Sequence, residues 1–384
     1  MTDPPRAFSL SQGGPFFHLM LRLHLVTASG ALRAWWLALF AWLPIIVGDL
    51  VRASLGMAPD PTELDISLHV RLLAALPLIA WSERLVDSAC RSTLGSVYAG
   101  KLARTEAVDD MICHGERLRD AWWPELVILT IALAHGQLVA WQVTGATGWF
   151  HGGTGVGPWS FPRLWYVMIA LPLAQFVMFR WLWRWAIWSS MLARLARQPL
   201  SLLATHPDHA AGLACLARPM SGFSAFSAAI GAVLAAAWGT QMLAHRTTLQ
   251  AELPTVLALL VAMSALAVAP LLLFCGHLYQ VRRRSLAQYG DFASDYTQDF
   301  HAKWIAPATR GEHALGSPDI QSLSDLGNAF HVITTTRLFV FGLRPIAALW
   351  GATIVPMAPL FASAMTVEKL VRRILDTVVG GLPL

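Results

Sequence analysis

The sequence predicts an all-α, polytopic membrane protein with six to seven transmembrane helices and helical cytoplasmic loops. Of its 384 residues, 55% are hydrophobic and only 13% are charged, about half the charged share of an ordinary soluble domain. The mean hydropathy is +0.51, and long apolar segments recur along the chain. So few charged residues cannot cover a water-facing surface. The composition therefore excludes a disordered, collagen-like or disulfide-stapled protein.

The basic excess and the cysteines exclude further classes. The net charge of +5 is spread thinly over the chain, and in a membrane protein such an excess marks cytoplasmic loops rather than a nucleic-acid surface. The four cysteines form no CxxC pair, so neither a disulfide framework nor a zinc site is indicated. We expect no nucleic-acid partner, no cofactor and no metal.

Six segments have the roughly 20 mostly apolar residues that a helix needs to cross a bilayer. A seventh, 345–365, is apolar enough but contains Pro345, Pro356 and Pro359, so it either crosses with a kink or re-enters. An amphipathic interfacial helix follows it. The six segments are 34–52, 66–83, 122–143, 162–188, 222–244 and 254–280.

The distribution of lysine and arginine predicts the orientation. With the N-terminus inside, most of the 28 basic residues fall in inner segments, as the positive-inside rule requires. We expect no cleaved signal peptide. The chain then divides into a cytoplasmic N-terminal segment (1–31), a bundle (32–280) with cytoplasmic loops 84–121 and 189–221, a cytoplasmic helical segment (281–344), and a C-terminal part (345–384).

A layer of ionisable groups is predicted near the cytoplasmic ends of four spans. Charged groups in spans are energetically costly and mark functional sites by default, so this layer could line an ion path, form a gate or titrate. The alternative is that the arginines extend toward the membrane surface and form local salt bridges. Side chains that are shielded from water and paired with one another would indicate this alternative. The members of the layer are Glu83, Glu125, Arg180, Arg184 and His277.

Other polar residues in the spans suggest a path or helix contacts. His135 and Gln142 are seven residues apart and share a helix face, which is consistent with a polar pathway or with interhelical hydrogen bonds. Gln137 lies on nearly the opposite face and is expected at a helix interface. Asp49 and Arg71 lie near the outer ends of neighbouring spans and could form an ion pair or line an outer vestibule.

The fifth span has a small residue at every fourth position. Such a row lets two helices approach closely, either within one subunit or between subunits, and it favours a homo-oligomer. The row is Ser227, Gly231, Ala235 and Gly239.

Two predicted cytoplasmic loops carry polar motifs. His206, Asp208 and His209 are close enough in sequence to bind a metal, but no third ligand position is fixed by their spacing, and a turn or helix cap is the favoured interpretation. The second motif runs from Gly316 to Asn328 and predicts a loop that enters a capped helix, with Ser317 or Asp319 as the N-cap. Its other polar members are Gln321, Asp325 and Asn328.

Three stretches together resemble a widespread family of uncharacterised bacterial multi-pass membrane proteins. They are His69–Leu78 with Glu83 and Leu85–Asp87 after it, Thr205–Asp208 with Ala211–Leu213, and Gly316–Phe330, and the likeness covers about residues 32–360. Ala211 stands where relatives more often have glycine. The resemblance implies a bacterial inner-membrane location and no established activity, and its patterned loops suggest binding or assembly.

Three functions follow as hypotheses. The favoured one is an oligomeric ion channel or small-solute transporter in the lipid bilayer. The second is a scaffold or accessory subunit whose loops bind a cytoplasmic protein partner. The third is a membrane-embedded enzyme with a metal at His206, Asp208 and His209.

Overall fold

The computed structural model describes residues 8–24, 34–57, 66–145, 160–243, 249–306 and 316–364. These residues form helices joined by short connections, with no strand among them. The helices, in chain order, are α1 (Pro15–Arg22), α2 (Ala34–Ser54), α3 (Ile66–Ala99), α4 (Thr105–Asp120), α5 (Trp122–Gly145), α6 (Phe161–Ala196), α7 (Met220–Leu243), α8 (Leu249–Leu272), α9 (Cys275–Phe300), α10 (Pro318–Thr334), α11 (Leu343–Ile354) and α12 (Ala358–Ala364).

Six helical stretches in the described residues are long and apolar enough to cross a membrane. They are α2, α3, α6, α7 with the short turn before it, α8, and the stretch Leu343–Phe361. Five match predicted spans and the sixth matches the seventh predicted segment. The predicted span 122–143 is α5, whose described apolar part, Trp122–His135, is shorter than the others.

The predicted span 254–280 is wrong at its C-terminal end. Helix α8 ends at Leu272, and α9 begins at Cys275 after a two-residue turn. His277 therefore lies in the first turn of α9, beyond the end of the candidate span Gln250–Leu272. The predicted amphipathic helix after residue 364 lies outside the described residues.

Two of the long helices contain a widened, π-helical turn. It covers Val70–Ala75 in α3 and Tyr166–Ala170 in α6, and each widened turn is followed by Leu-Pro-Leu. A proline ring in a regular helix clashes with the carbonyl four residues earlier, and the wider turn before it relieves that clash. After the widened turns, the Leu76 N–H donates to the Arg71 carbonyl and the Leu171 N–H donates to the Tyr166 carbonyl.

The small-residue face of α7 packs against α11 of the same chain. Ser227 Oγ lies 2.5 Å from Thr353 Oγ1, and a Cβ placed on Gly231 would lie 2.3 Å from the Thr353 carbonyl oxygen. Gly239, further along α7, faces Leu360 at 3.2 Å. Residue numbers therefore increase in the same direction along both segments, so the two segments are parallel. The described part of the seventh segment runs alongside α7 and does not turn back.

One end of the bundle carries α4, the C-terminal parts of α3 and α6, and the first residues of α2 and α5; we call it the α4 end. Its core includes Cys90, Val97, Ile112 and Met191. Helices α9 and α10 form a hairpin, and the Tyr296 hydroxyl of α9 donates to the Asp319 carbonyl of α10 at 3.0 Å.

Candidate functional site

Four ionisable side chains meet in the core at the α4 end; we call them the charged cluster. They are Glu83 on α3, Glu125 on α5, and Arg180 and Arg184 on α6. Arg180 Nη1 lies 2.7 Å from Glu83 Oε1, and Arg180 Nε lies 3.2 Å from Glu125 Oε1. Arg184 lies 3.8 Å from Glu125 and 4.0 Å from Glu83. The two cations and two anions therefore balance.

The local structure explains why these four side chains converge. Arg180 and Arg184 are four residues apart, so they share one face of α6. Glu125 lies in the first turn of α5, where the helix dipole favours a negative charge. The four side chains are only 3–12% exposed. In this conformation they are buried and paired with one another, which is the arrangement expected of local salt bridges rather than of an open path.

The N-terminal segment, residues 8–16, covers the charged cluster. The Phe16 N–H donates to Glu125 Oε2 at 2.7 Å, and Arg184 Nη2 donates to the Gly13 carbonyl at 2.7 Å. The Gly14 N–H donates to Asp120 Oδ1 at 3.1 Å. Main-chain groups of the segment thus supply partners that water would otherwise provide.

A further acidic group, Asp87 on α3, holds the beginning of this segment. Its Oδ1 accepts hydrogen bonds from Ser9 Oγ at 3.0 Å, the Leu10 N–H at 2.5 Å and the Ser11 N–H at 3.1 Å. Its Oδ2 accepts from Arg91 at 2.5 Å. Asp87 is 1% exposed. Sequence reasoning did not select it.

The close fit of the segment depends on glycine and on aromatic packing. Gly14 has φ +86°, and a Cβ there would lie 2.9 Å from both the Arg119 carbonyl oxygen and Glu125 Oε1. The Phe16 ring lies 5.1 Å from the Arg180 guanidinium, a cation–π distance, and 4.9 Å from the Phe176 ring. The segment is therefore shaped to the charged cluster on both its polar and its apolar side.

A small cavity remains between the segment and the charged cluster. Its volume is ≈ 10 Å³, about the space that one water molecule needs. It is bordered by Ser11, Glu83 and Arg184. Nε and Nη1 of Arg184 have no hydrogen-bond acceptor among the described residues, so the guanidinium keeps donor capacity beside this cavity.

A second polar region lies toward the other end of α3. Arg71 donates a hydrogen bond to the Tyr166 hydroxyl of α6, and Asp49 on α2 is 3% exposed. The Asp49–Arg71 ion pair stays a prediction. Arg71 and Glu83 are twelve residues apart, roughly 18 Å along a helix, and the buried side chains of α3 between them include Leu72 and Leu76. An apolar zone thus separates the two polar regions.

Among the remaining candidates whose side chains the structure describes, His135 and His277 do not join the charged cluster. His135 Nδ1 lies 2.9 Å from Gln175 Nε2, which links α5 to α6. The side chains of Gln137 and Gln142 lie outside the described part of α5. His277 packs near the Phe274 ring at 6.3 Å, in the first turn of α9.

The His206–His209 motif forms a turn built around Asp208. The carboxylate accepts the N–H groups of Ala210, Gly212 and Ala214 at 2.9–3.1 Å and pairs with His206 Nδ1 at 2.8 Å. Burial acts to raise the pKa of Asp208, but these hydrogen bonds lower it below its ordinary value. His209 instead contacts Thr335 Oγ1 at 3.0 Å.

Neither this turn nor any other place among the described residues groups three metal-binding side chains. The turn does contain strained backbone. Ala211 has φ +54°, in the left-handed region that favours glycine.

The second loop motif begins α10. Ser317 is the N-cap, and its hydroxyl accepts the Asp319 N–H at 3.3 Å. Asp319 also accepts hydrogen bonds from Lys303 at 2.7 Å and Trp304 at 3.0 Å, which lower its pKa. Gln321 donates to Asp325 one turn later at 3.0 Å. Asn328 is exposed on the same helix.

Comparison with known proteins adds no family assignment. No family model, curated protein or solved structure matches this chain.

Proposed function

We propose that the protein is a membrane transport protein, an ion channel or small-solute transporter, whose entrance at the α4 end is closed by the N-terminal segment. One observation carries the proposal: the charged cluster is buried under a segment that precedes the first candidate membrane span. A buried ion-pair network is seldom more stabilising than apolar packing of the same volume. Four such groups at one depth therefore favour a role beyond stability.

Water can replace the polar contacts that the N-terminal segment makes. Glu125, Asp87 and Arg184 bind mainly its backbone N–H and C=O groups, and water offers the same hydrogen bonds. Release of the segment would convert the dry charged cluster into a hydrated vestibule. The apolar zone between Glu83 and Arg71 would then remain as the second barrier.

We further propose a bacterial inner-membrane location with the N-terminus and the α4 end in the cytoplasm. The excess of basic residues in the segments of the α4 end supports this orientation. The small-residue face of α7 is occupied by α11, so it no longer argues for a homo-oligomer. Transport through a single chain is accordingly the form that we propose.

Flux measurements in proteoliposomes test the proposal. Gly14→Ala introduces a Cβ at 2.9 Å from a backbone oxygen and should release the segment. Gly290→Ala is the matched control, because a Cβ there meets nothing within 4 Å. We expect little potassium, chloride or proton flux in the wild type and the control, and higher flux in Gly14→Ala.

Hydrogen exchange of residues 8–16 shows independently whether the segment has been released. Adding Glu125→Ala or Arg180→Ala to Gly14→Ala should then change the rate or the ion preference. The proposal fails if exchange shows a released segment and no ion crosses at any pH or voltage.

A second function is favoured by the α9–α10 hairpin. Phe292 is 59% exposed there, and Gln321, Asp325 and Asn328 are exposed on one face of α10. Such a surface suits a cytoplasmic protein partner. A photo-crosslinker at Asn328 should give one discrete product in intact membranes. The same crosslinker at exposed Gly95 on α3 should not, and identical adducts at both sites would contradict partner binding.

A further inference from the structure

A groove of ≈ 650 Å³ lies on the surface of the bundle, between the first residues of α2 (Ala34–Trp36) and one face of α3. Its α3 wall is one helix face that extends from Leu73 past Pro77 to Arg84. These eleven steps along a helix cover roughly 17 Å. The hydrocarbon core of a bilayer is about 30 Å thick, so the groove has the length of one leaflet.

The end of the groove nearest the α4 end is aromatic and cationic. Trp35, Trp36 and Trp81 line it and are 65%, 57% and 52% exposed. Arg84 lies beside them, exposed and without a hydrogen-bond or ion-pair partner among the described residues. By contrast, Arg91 on the same helix pairs with Asp87. Tryptophan and arginine together are typical of the lipid headgroup level.

We propose that this groove binds one anionic glycerophospholipid, with an acyl chain along Leu73 and Pro77 and the phosphate against Arg84. The apolar walls match the acyl chain, and the guanidinium matches the phosphodiester as a charge-assisted hydrogen-bond donor. Indole N–H groups at the same depth supply further donors to the headgroup. The proposal rests on membrane insertion but not on transport.

The charge in the groove favours a lipid over a second copy of the chain. Arg84 is the one charged residue among the described residues that line it. In a two-fold dimer the same patch meets itself, so two Arg84 side chains would face each other across an apolar contact. An anionic headgroup neutralises this charge, and a zwitterionic one does so incompletely.

Native mass spectrometry of the purified, delipidated full chain tests the site. The chain is titrated with phosphatidylglycerol or phosphatidylcholine in the wild type, in Arg84→Gln, and in Arg104→Gln, an exposed arginine outside the groove. A basic residue near the membrane surface contributes about 1 kcal/mol toward anionic lipid, about a 5-fold change in affinity. We expect Arg84→Gln alone to weaken phosphatidylglycerol binding by about that factor.

A second variant tests the apolar part of the groove. Ala74→Phe places a ring in the space between its walls and should reduce the binding of both lipids. Equal phosphatidylglycerol affinity in Arg84→Gln and Arg104→Gln, or no wild-type preference over phosphatidylcholine, would overturn the proposal. So would a wild-type dimer that Ala74→Phe converts to a monomer, because the groove would then be a protein interface.

Discussion

The charged cluster makes a quantitative prediction for Glu125→Gln. The carboxylate of Glu125 forms ion pairs with Arg180 at 3.2 Å and with Arg184 at 3.8 Å. The substitution leaves both guanidinium groups to share Glu83, and the cluster changes from neutral to a charge of +1. All of this happens at side chains that are almost entirely removed from water.

The magnitude follows from these distances and from burial. At an effective dielectric constant of about 20, unit charges separated by 3.2 Å attract by about 5 kcal/mol, and much of this offsets the loss of hydration. Removing one partner of a buried ion pair lowers the free energy of unfolding by about 3–5 kcal/mol. Glutamine keeps an oxygen for the Phe16 N–H, so we expect about 3 kcal/mol.

A double-mutant cycle with Arg184→Met separates charge balance from packing. Arg184→Met alone leaves one excess negative charge, and the pair of substitutions leaves the neutral Glu83–Arg180 contact at 2.7 Å. The double variant should therefore be more stable than the sum of the single effects predicts. We expect a coupling of about 2 kcal/mol, within the range for residues in one network.

Reversible unfolding in mixed micelles measures these differences. The control is Asp110→Asn, which removes a pair with Arg194 at 3.4 Å whose side chains are 61% and 43% exposed. Such a pair contributes under about 1 kcal/mol. The reasoning is refuted if Glu125→Gln costs no more than Asp110→Asn, or if the cycle is additive within about 0.5 kcal/mol.

Three further substitutions test other parts of the structure by the same unfolding assay. Gly231→Ala should cost about 1–3 kcal/mol by overpacking against the Thr353 carbonyl, whereas Gly351→Ala, which meets nothing within 4 Å, should not. Ala211→Gly should change stability by less than about 0.5 kcal/mol, because relief of a left-handed alanine offsets the extra freedom of the unfolded chain and the loss of a buried methyl group; a loss above about 1 kcal/mol would contradict the strain. Asp208→Asn should destabilise at pH 7. Because the folded-state pKa of Asp208 is lowered, its stabilisation is present above the unfolded pKa of about 3.9 and is lost as the pH falls through the folded value. The difference from wild type should therefore shrink below about pH 4, and a constant difference would contradict this.

The helices and the depth of the charged groups could be predicted from the sequence. Depth follows from counting residues at the regular helical rise, which places Glu83, Glu125, Arg180 and Arg184 at one level. Their pairing could not be predicted, because it depends on how each helix is rotated about its axis. The break between Leu272 and Cys275 was missed because it lies within an uninterrupted apolar run.

The N-terminal segment is the largest part of the candidate site that the sequence did not predict. Residues 8–16 are neither apolar enough for a span nor periodic enough for a helix, and they contain no charged residue. These residues bind the charged groups through their backbone N–H groups. Because almost every residue has such a group, the pattern of side chains could not predict this role. The adjacent pair Gly13 and Gly14 was the one available signal.

The widened turns of α3 and α6 have a consequence for how the bundle can move. The carbonyls that accept the widened-turn bonds belong to Arg71 and Tyr166, and the side chains of the same two residues are hydrogen-bonded to each other. Shifting a widened turn by one residue rotates that part of the helix by about 100°. Such a rotation in one helix alone would break the bond between them. The two widened turns are thus coupled through this one side-chain hydrogen bond, which favours register changes that occur in both helices together.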